Sequence, residues 1–286
     1  MSTARALLRD GRTVTGLAIL ALFGALALLA PWVAPTDPVA LHDVLATRFL
    51  SPFTVGADGV RHWLGTDAFG RDVFSRLVYG ARISLAVGLL SVAVSIGVGA
   101  AVGVTSAMAG GVIERALMAV TDAALAMPRI VLLLALVTLW QPSLLLVVLV
   151  LGFTGWMSVA RLTRAEVKGL MGRPFVEAAR AGGSGRLRLM WRHVLPNALT
   201  PLIVAAALGV GNAIMLEAGL SFLGLGVPAP APSWGNMIAS GRDALVNAPW
   251  VAAFPGLAVA LAVVASNLVG DGARDALDPR TRRAPR

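Results

Sequence analysis

Residues 83–113 and 130–160 each run for 31 positions without a charged side chain. Nothing else in the chain restricts its fold so tightly. A helix of that length rises roughly 46 Å, well beyond the about 30 Å of a bilayer's hydrocarbon core. A third run, residues 14–33, has 20 uncharged positions and suffices for one crossing. In lipid every backbone amide must be paired inside the protein, so continuous apolar runs of this kind become helices. With 57% of residues hydrophobic and 14% charged, the chain is too apolar for a soluble domain of 286 residues. The class that follows is an all-α polytopic membrane protein.

The charges lie between the runs, and they orient them. The net charge of +9 reads as the positive-inside bias of membrane proteins rather than as a nucleic-acid footprint. Arg5, Arg9 and Arg12 place residues 1–13 in the cytoplasm, ahead of a first span at 14–33. A cleaved signal peptide ending near residues 30–34 is the rival, but the run is longer than a signal core and more spans follow. Residues 34–79 hold four Arg and five Asp, lack a basic excess, and are expected outside. A second span is expected at 83–105, with Gly88, Gly97, Gly99 and Gly103 permitting close helix contact. Gly110-Gly111 makes a turn.

The run at 130–160 is interrupted by Gln141-Pro142-Ser143. As one helix it leaves three spans ahead of the basic segment 161–197. As a hairpin with arms at 116–140 and 144–160 it leaves four, and only an even number keeps that segment on the N-terminal side. The hairpin is expected, with Asp122 and Arg129 near the cytoplasmic mouth of the third span. A fifth span covers 198–217 and a sixth 249–269, with Pro255 as a kink and Asn267 as a buried polar residue. The tail, 273–286, is basic at its end and expected inside. Six spans result, with both termini in the cytoplasm.

Residues 161–200 form the longest polar stretch, with eight Lys/Arg and two Glu. Pro174 suits a first helical position because its missing N–H has no partner there. Phe175, Ala178, Ala179 and Gly182 then share one face, and Gly182-Gly183 stops the helix. A second helix has Ser184 as N-cap. Its apolar face is Leu187, Met190, Trp191 and Val194, with Arg186, Arg188, Arg192 and His193 off it. Pro196 is expected to end it, because proline disfavours the helical conformation at Leu195.

Glu177-Ala178-Ala179, Gly183 and Leu195-Pro196 together resemble the EAA loop of permeases in ATP-binding-cassette importers. The wider run FVEAARAGG…RHVLPN is similar to the dipeptide/oligopeptide/nickel permease family. The stretches His62 to Arg82 and Glu217 to Met237, and the C-terminal tail, resemble that family's C-type subunit. The blocks cover most of residues 62–82 and 161–280. The resemblance implies the binding-protein-dependent importer permease fold. It also implies that Glu177, Ala178, Ala179, Gly183, Leu195 and Pro196 dock on a separate ATPase. The partners it implies are a homologous B-type permease, two cytoplasmic ATP-binding subunits, an extracytoplasmic substrate-binding protein and membrane lipid. The plain alternative for the loop is a membrane-surface helix with no docking partner.

Other chemistry finds little support. Thr66 or Asp67 can cap an amphipathic helix over 62–82, with Asp72 and Arg76 as an i,i+4 pair. That role suits Asp67 and Asp72 better than catalysis, since no nucleophile or metal cluster accompanies them. Lys168 is the only lysine and follows Val167, so no conventional phosphate-binding loop is present and the chain is not expected to be the ATPase. His42, His62 and His193 are scattered, and without cysteine no metal site or cofactor is implied. Glu217, Asn212 and Asn267 are the polar candidates for a translocation pathway or gate. A carboxylate that snorkels to water or caps a helix is the other reading of Glu217. A secondary transporter would need several charges deep in its spans, and an intramembrane enzyme a catalytic pair.

Overall fold

The structure is a computed structural model that describes residues 10–41, 43–57 and 59–277. Arg5, Arg9, His42 and the last nine residues of the basic tail lie outside the described residues. Among the described residues the regular structure is helical, apart from one short antiparallel hairpin that the sequence did not announce.

Helix α1 (Gly11–Val33) starts three residues before the first apolar run, because Asp10 caps it and accepts from the Thr13 amide at 3.0 Å. Pro31 lies inside α1 and lacks the N–H that would pair with the Ala27 carbonyl. Arg82 fills that place, donating to the carbonyls of Ala27 and Leu28. A single turn, α2 (Val44–Thr47), and the strands β1 (Thr54–Val55) and β2 (Arg61–His62) follow.

The longest helix, α3 (Val73–Ala109), corrects the expected capped helix over 62–82 and contains the span expected at 83–105. It has 37 residues, and its N-cap is Asp72 rather than Thr66 or Asp67. Residues ahead of it fold as the hairpin and a tight turn closed by the Thr66–Asp72 bridge. The expected ion pair is redistributed too. Asp67 accepts from Arg71 at 2.7 Å and lies 3.6 Å from Arg76, while Asp72 binds buried His62 at 2.9 Å and caps through the Ser75 amide. Gly70, at φ +73°, turns the chain so that Asp67 rather than Asp72 faces the guanidiniums.

Next come α4 (Gly111–Ala126) and α5 (Arg129–Val137), two limbs in the region of the arm expected at 116–140. The two limbs bend by 89°. Pro128 drives the break: it disfavours the helical conformation at the residue before it, and Met127 is extended at φ −79°, ψ 132°. Past Gln141-Pro142, α6 (Leu144–Phe153) and α7 (Trp156–Met171) follow each other across a short break at Thr154-Gly155. After α8 (Pro174–Ala181) and the turn α9 (Arg186–Leu189), residues Met190–Val194 form a π-helical segment that runs straight into α10 (Leu195–Phe222). Pro196 therefore does not end a helix. The widened turn lets the Leu195 amide reach back to the Met190 carbonyl, so the proline sits at a helical start where no N–H is required. The segment between α10 and the last helix contains α11 (Trp234–Gly241), and the chain closes with α12 (Trp250–Leu277).

Five stretches are long and apolar enough to cross a membrane, and the bent pair α4–α5 makes a sixth if its limbs count as one span. The central element is α3, which packs on α1, α6, α7 and α10. Its glycines set the closest approach. A Cβ at Gly99 would stand 2.5 Å from the Val159 Cβ, and one at Gly103 2.6 Å from the Ala160 carbonyl. Gly97, expected to share this role, faces open space. At one end of α3, Val73 packs with Met237, Ala244 and Val251. At the other, Val104 and Met108 pack on Val167, Val176 and Val194, so the two ends of the molecule carry separate cores.

Candidate functional site

The basic segment folds as a compact helix pair at the second of these ends. In α8 the apolar side divides: Val176 is fully buried and Ala179 half-buried, while Phe175 and Ala178 are exposed. Gly182, Gly183 and Ser184 close the helix as a Schellman motif. The Ser184 amide donates to the Ala179 carbonyl at 3.1 Å and the Gly183 amide to the Arg180 carbonyl at 3.0 Å. Gly183 takes φ +83°, a conformation that disfavours a Cβ. Ser184 is thus part of the stop of α8 and not the N-cap of the next helix, a place taken by Gly185.

The expected apolar face of the second helix also divides. Met190 and Val194 turn inward with Leu189, whereas Leu187 and Trp191 are 66% and 65% exposed. The π segment changes the angular spacing of 190–194, so a regular 3.6-residue count misassigns the face. The result is an outward surface of Phe175, Ala178, Leu187 and Trp191 set among Arg180, Arg186, Arg188 and Arg192. Those arginines have no acidic partner among the described residues. Glu177 is exposed and its carboxylate makes no hydrogen bond or ion pair among the described residues, and His193 is half-buried. Three of the other basic side chains, all on α7, face acidic partners, while Arg173 at the start of α8 is exposed. Arg164 binds Glu114 of α4 at 2.5 Å, Lys168 binds the same carboxylate, and Arg161 lies 3.7 Å from Asp122. Leu195 is half-buried and Pro196 exposed, on the far side of the π segment.

The other polar candidates separate. Glu217 does not snorkel: it is fully buried. One of its oxygens accepts from the hydroxyls of Ser221 at 2.8 Å and Ser233 at 2.9 Å, and the other, Oε2, is buried without a hydrogen-bond partner. Ser233 also forms a reciprocal cap with Asn236 at the start of α11. The next residue, Trp234, donates its amide to Ser84 and its indole N–H to the Leu77 carbonyl, pinning the segment to α3. The Ser-x-x-Asn spacing that makes this cap was legible in the sequence; the convergence on Glu217 was not. Asn212 is exposed and lines a cavity bordered by α3, α7, α10 and the α4–α5 break. Asn267 is exposed, not buried as expected, because α12 packs through Ala258, Ala262, Ala265 and Ser266 on its opposite face.

Residues 72–283 match a family described as the inner membrane component of binding-protein-dependent transport systems, and residues 2–52 match the N-terminal TM domain of oligopeptide transport permease C. A di/tripeptide transport system permease protein, DppC, of Pseudomonas aeruginosa (strain UCBPP-PA14) is 43% identical over 270 residues, 94% of this chain and 88% of its own. A dipeptide transport system permease protein of Alkalihalophilus pseudofirmus is 38% identical over 269 residues, 94% of this chain and 86% of its own. Among solved structures, an inward-facing conformation of the MetNI methionine ABC transporter superposes with a TM-score of 0.59 at 20% identity, covering 70% of this chain and 96% of that one. That likeness speaks to the fold.

Proposed function

Because this chain belongs to the family of inner membrane components of binding-protein-dependent transport systems, we propose that it forms half of the translocation pathway of an ATP-driven importer of small peptides or related solutes. The observation that carries the mechanism is the surface of the helix pair. An unpartnered carboxylate, four exposed apolar side chains and free arginines converge there, on a segment whose inner side is fully packed. Such a surface suits a groove on a separate cytoplasmic ATPase. Glu177, Ala178, Ala179 and Gly183 present it, and the Leu195-Pro196 junction joins it to α10.

The assembly proposed is this chain with a homologous B-type permease, two ATP-binding subunits inside and a substrate-binding protein outside. The basic segment and both termini face the cytoplasm when the bent α4–α5 pair counts as one span, since four spans then precede residues 161–197. ATP hydrolysis resides on the partners, because Lys168 is bound to Glu114 and sits in no glycine-rich turn. The test is uptake of trialanine by the complete importer in proteoliposomes. Uptake is expected to continue under a protonophore and to stop with vanadate. Uptake that follows the ion gradient and ignores vanadate would overturn the reading.

A further inference from the structure

The cavity beside Asn212 contains a charge that the transport reading leaves unused. Its volume is about 480 Å³, within the range of small-ligand pockets. Ser91, Ser95, Thr154 and Asn212 supply polar groups, and Arg129 is the one ionisable residue in the lining. Arg129 opens α5 at the point where Pro128 breaks the span, so the break itself delivers the guanidinium to the cavity. The guanidinium is poorly satisfied. Its Nε is buried without a hydrogen-bond partner, and one Nη donates only a long 3.5 Å bond to the Leu151 carbonyl. No carboxylate pairs with it among the described residues. Ser91 Oγ, in the same lining, is likewise buried without a partner.

A guanidinium drawn out of water without a counter-charge is costly, and the cost is recovered when it meets a partner. A guanidinium offers a planar donor fork matched to a carboxylate. We propose that Arg129, with Ser91 and Asn212, forms a transient subsite for the carboxylate of the solute passing through the importer. The inference rests on the permease reading and adds the chemistry the pathway selects. Entry of the carboxylate repays the desolvation of Arg129 only while the solute is in the cavity. A bound state of that kind is shallow enough to release.

Since the chain contains no cysteine, the test uses Asn212→Cys in the complete importer. An anionic methanethiosulfonate (the ethylsulfonate) and a cationic one (the ethyltrimethylammonium) are compared, each normalised to its rate with a free thiol. The anionic reagent is expected to react about tenfold faster, trialanine during turnover to slow it, and Arg129→Gln to remove the preference. In a chain without the cysteine, Arg129→Gln is expected to lower trialanine uptake about tenfold and Arg129→Lys to restore much of it. ATPase stimulation by the loaded binding protein should stay within about twofold of wild type, since the coupling surface is untouched. Equal labelling rates, no labelling by either reagent, or normal uptake in Arg129→Gln would overturn the proposal. So would loss of the B-type permease from the purified complex, which would assign Arg129 to a carboxylate on that subunit. Failure of the wild-type importer to show stimulated ATPase activity would count against the permease reading instead.

Discussion

Glu217 and Ser233 are joined by a 2.9 Å hydrogen bond in which the serine hydroxyl donates, tying α10 to the first turn of α11. The same carboxylate oxygen holds Ser221 one turn along α10. Glu217→Ala would remove the acceptor of both hydroxyls, leaving each O–H buried without its partner at a cost of about 1–3 kcal/mol. A lower melting temperature of the purified complex is therefore expected for Glu217→Ala. Glu217→Gln retains an oxygen acceptor and should melt close to wild type. Equal melting of Glu217→Ala and wild type would show that this node contributes nothing to the fold.

Gly183 tests the helix pair. Beyond its chain neighbours a Cβ there meets no atom within 4 Å, so a loss on substitution arises from the strain of φ +83° or against another subunit. Gly183→Asn keeps access to the left-handed conformation and should retain much of the uptake. Gly183→Asp adds charge as well as bulk and is expected to abolish uptake with membrane abundance unchanged. Glu177→Ala should weaken ATPase co-purification only mildly, since an exposed charge pair contributes about 0–1 kcal/mol. Normal uptake and ATPase retention in Gly183→Asp would leave the helix pair as a plain surface feature.

Orientation is tested with two single cysteines. Leu45→Cys, at a position 95% exposed in the turn α2, should be labelled by an impermeant maleimide in intact cells, and Ser184→Cys only after permeabilisation. The reverse pattern would invert the assignment of sides.

Nucleotide binding by the isolated chain is the fourth expectation. Purified alone, it should show no saturable ATP binding at micromolar concentration, because Lys168 is engaged by Glu114.

The sequence was most legible where one chemical rule acted alone. Apolar length marked the helices of the bundle, and Pro174 and Gly182-Gly183 marked the start and stop of α8. Legibility failed where two rules competed. Pro196 reads as a terminator, yet a π-helical turn removes the clash that would have made it one. Pro128 lies between two helical signals, and the count of spans needed to keep the basic segment inside carried the expected arm through it. Asp67 and Asp72 are both competent caps and both within reach of arginines, and only the turn at Gly70 decides between them. Glu217 sat at the edge of an apolar run, where water and burial are equally plausible. Its burial depends on Ser233, sixteen residues away and on another element.

The π segment has a mechanical consequence. From Arg186 to Phe222 the chain is one 37-residue helical rod, roughly 55 Å long. Its two irregular points, the π turn and Pro201, both lie in the half nearest the basic surface. From Leu202 to Glu217 nothing interrupts the backbone ladder. Compliance is thus confined to one end and stiffness to the other. A twist applied at Trp191 is partly absorbed by the joint, and what passes Pro201 arrives undiminished at the carboxylate that fastens the opposite face.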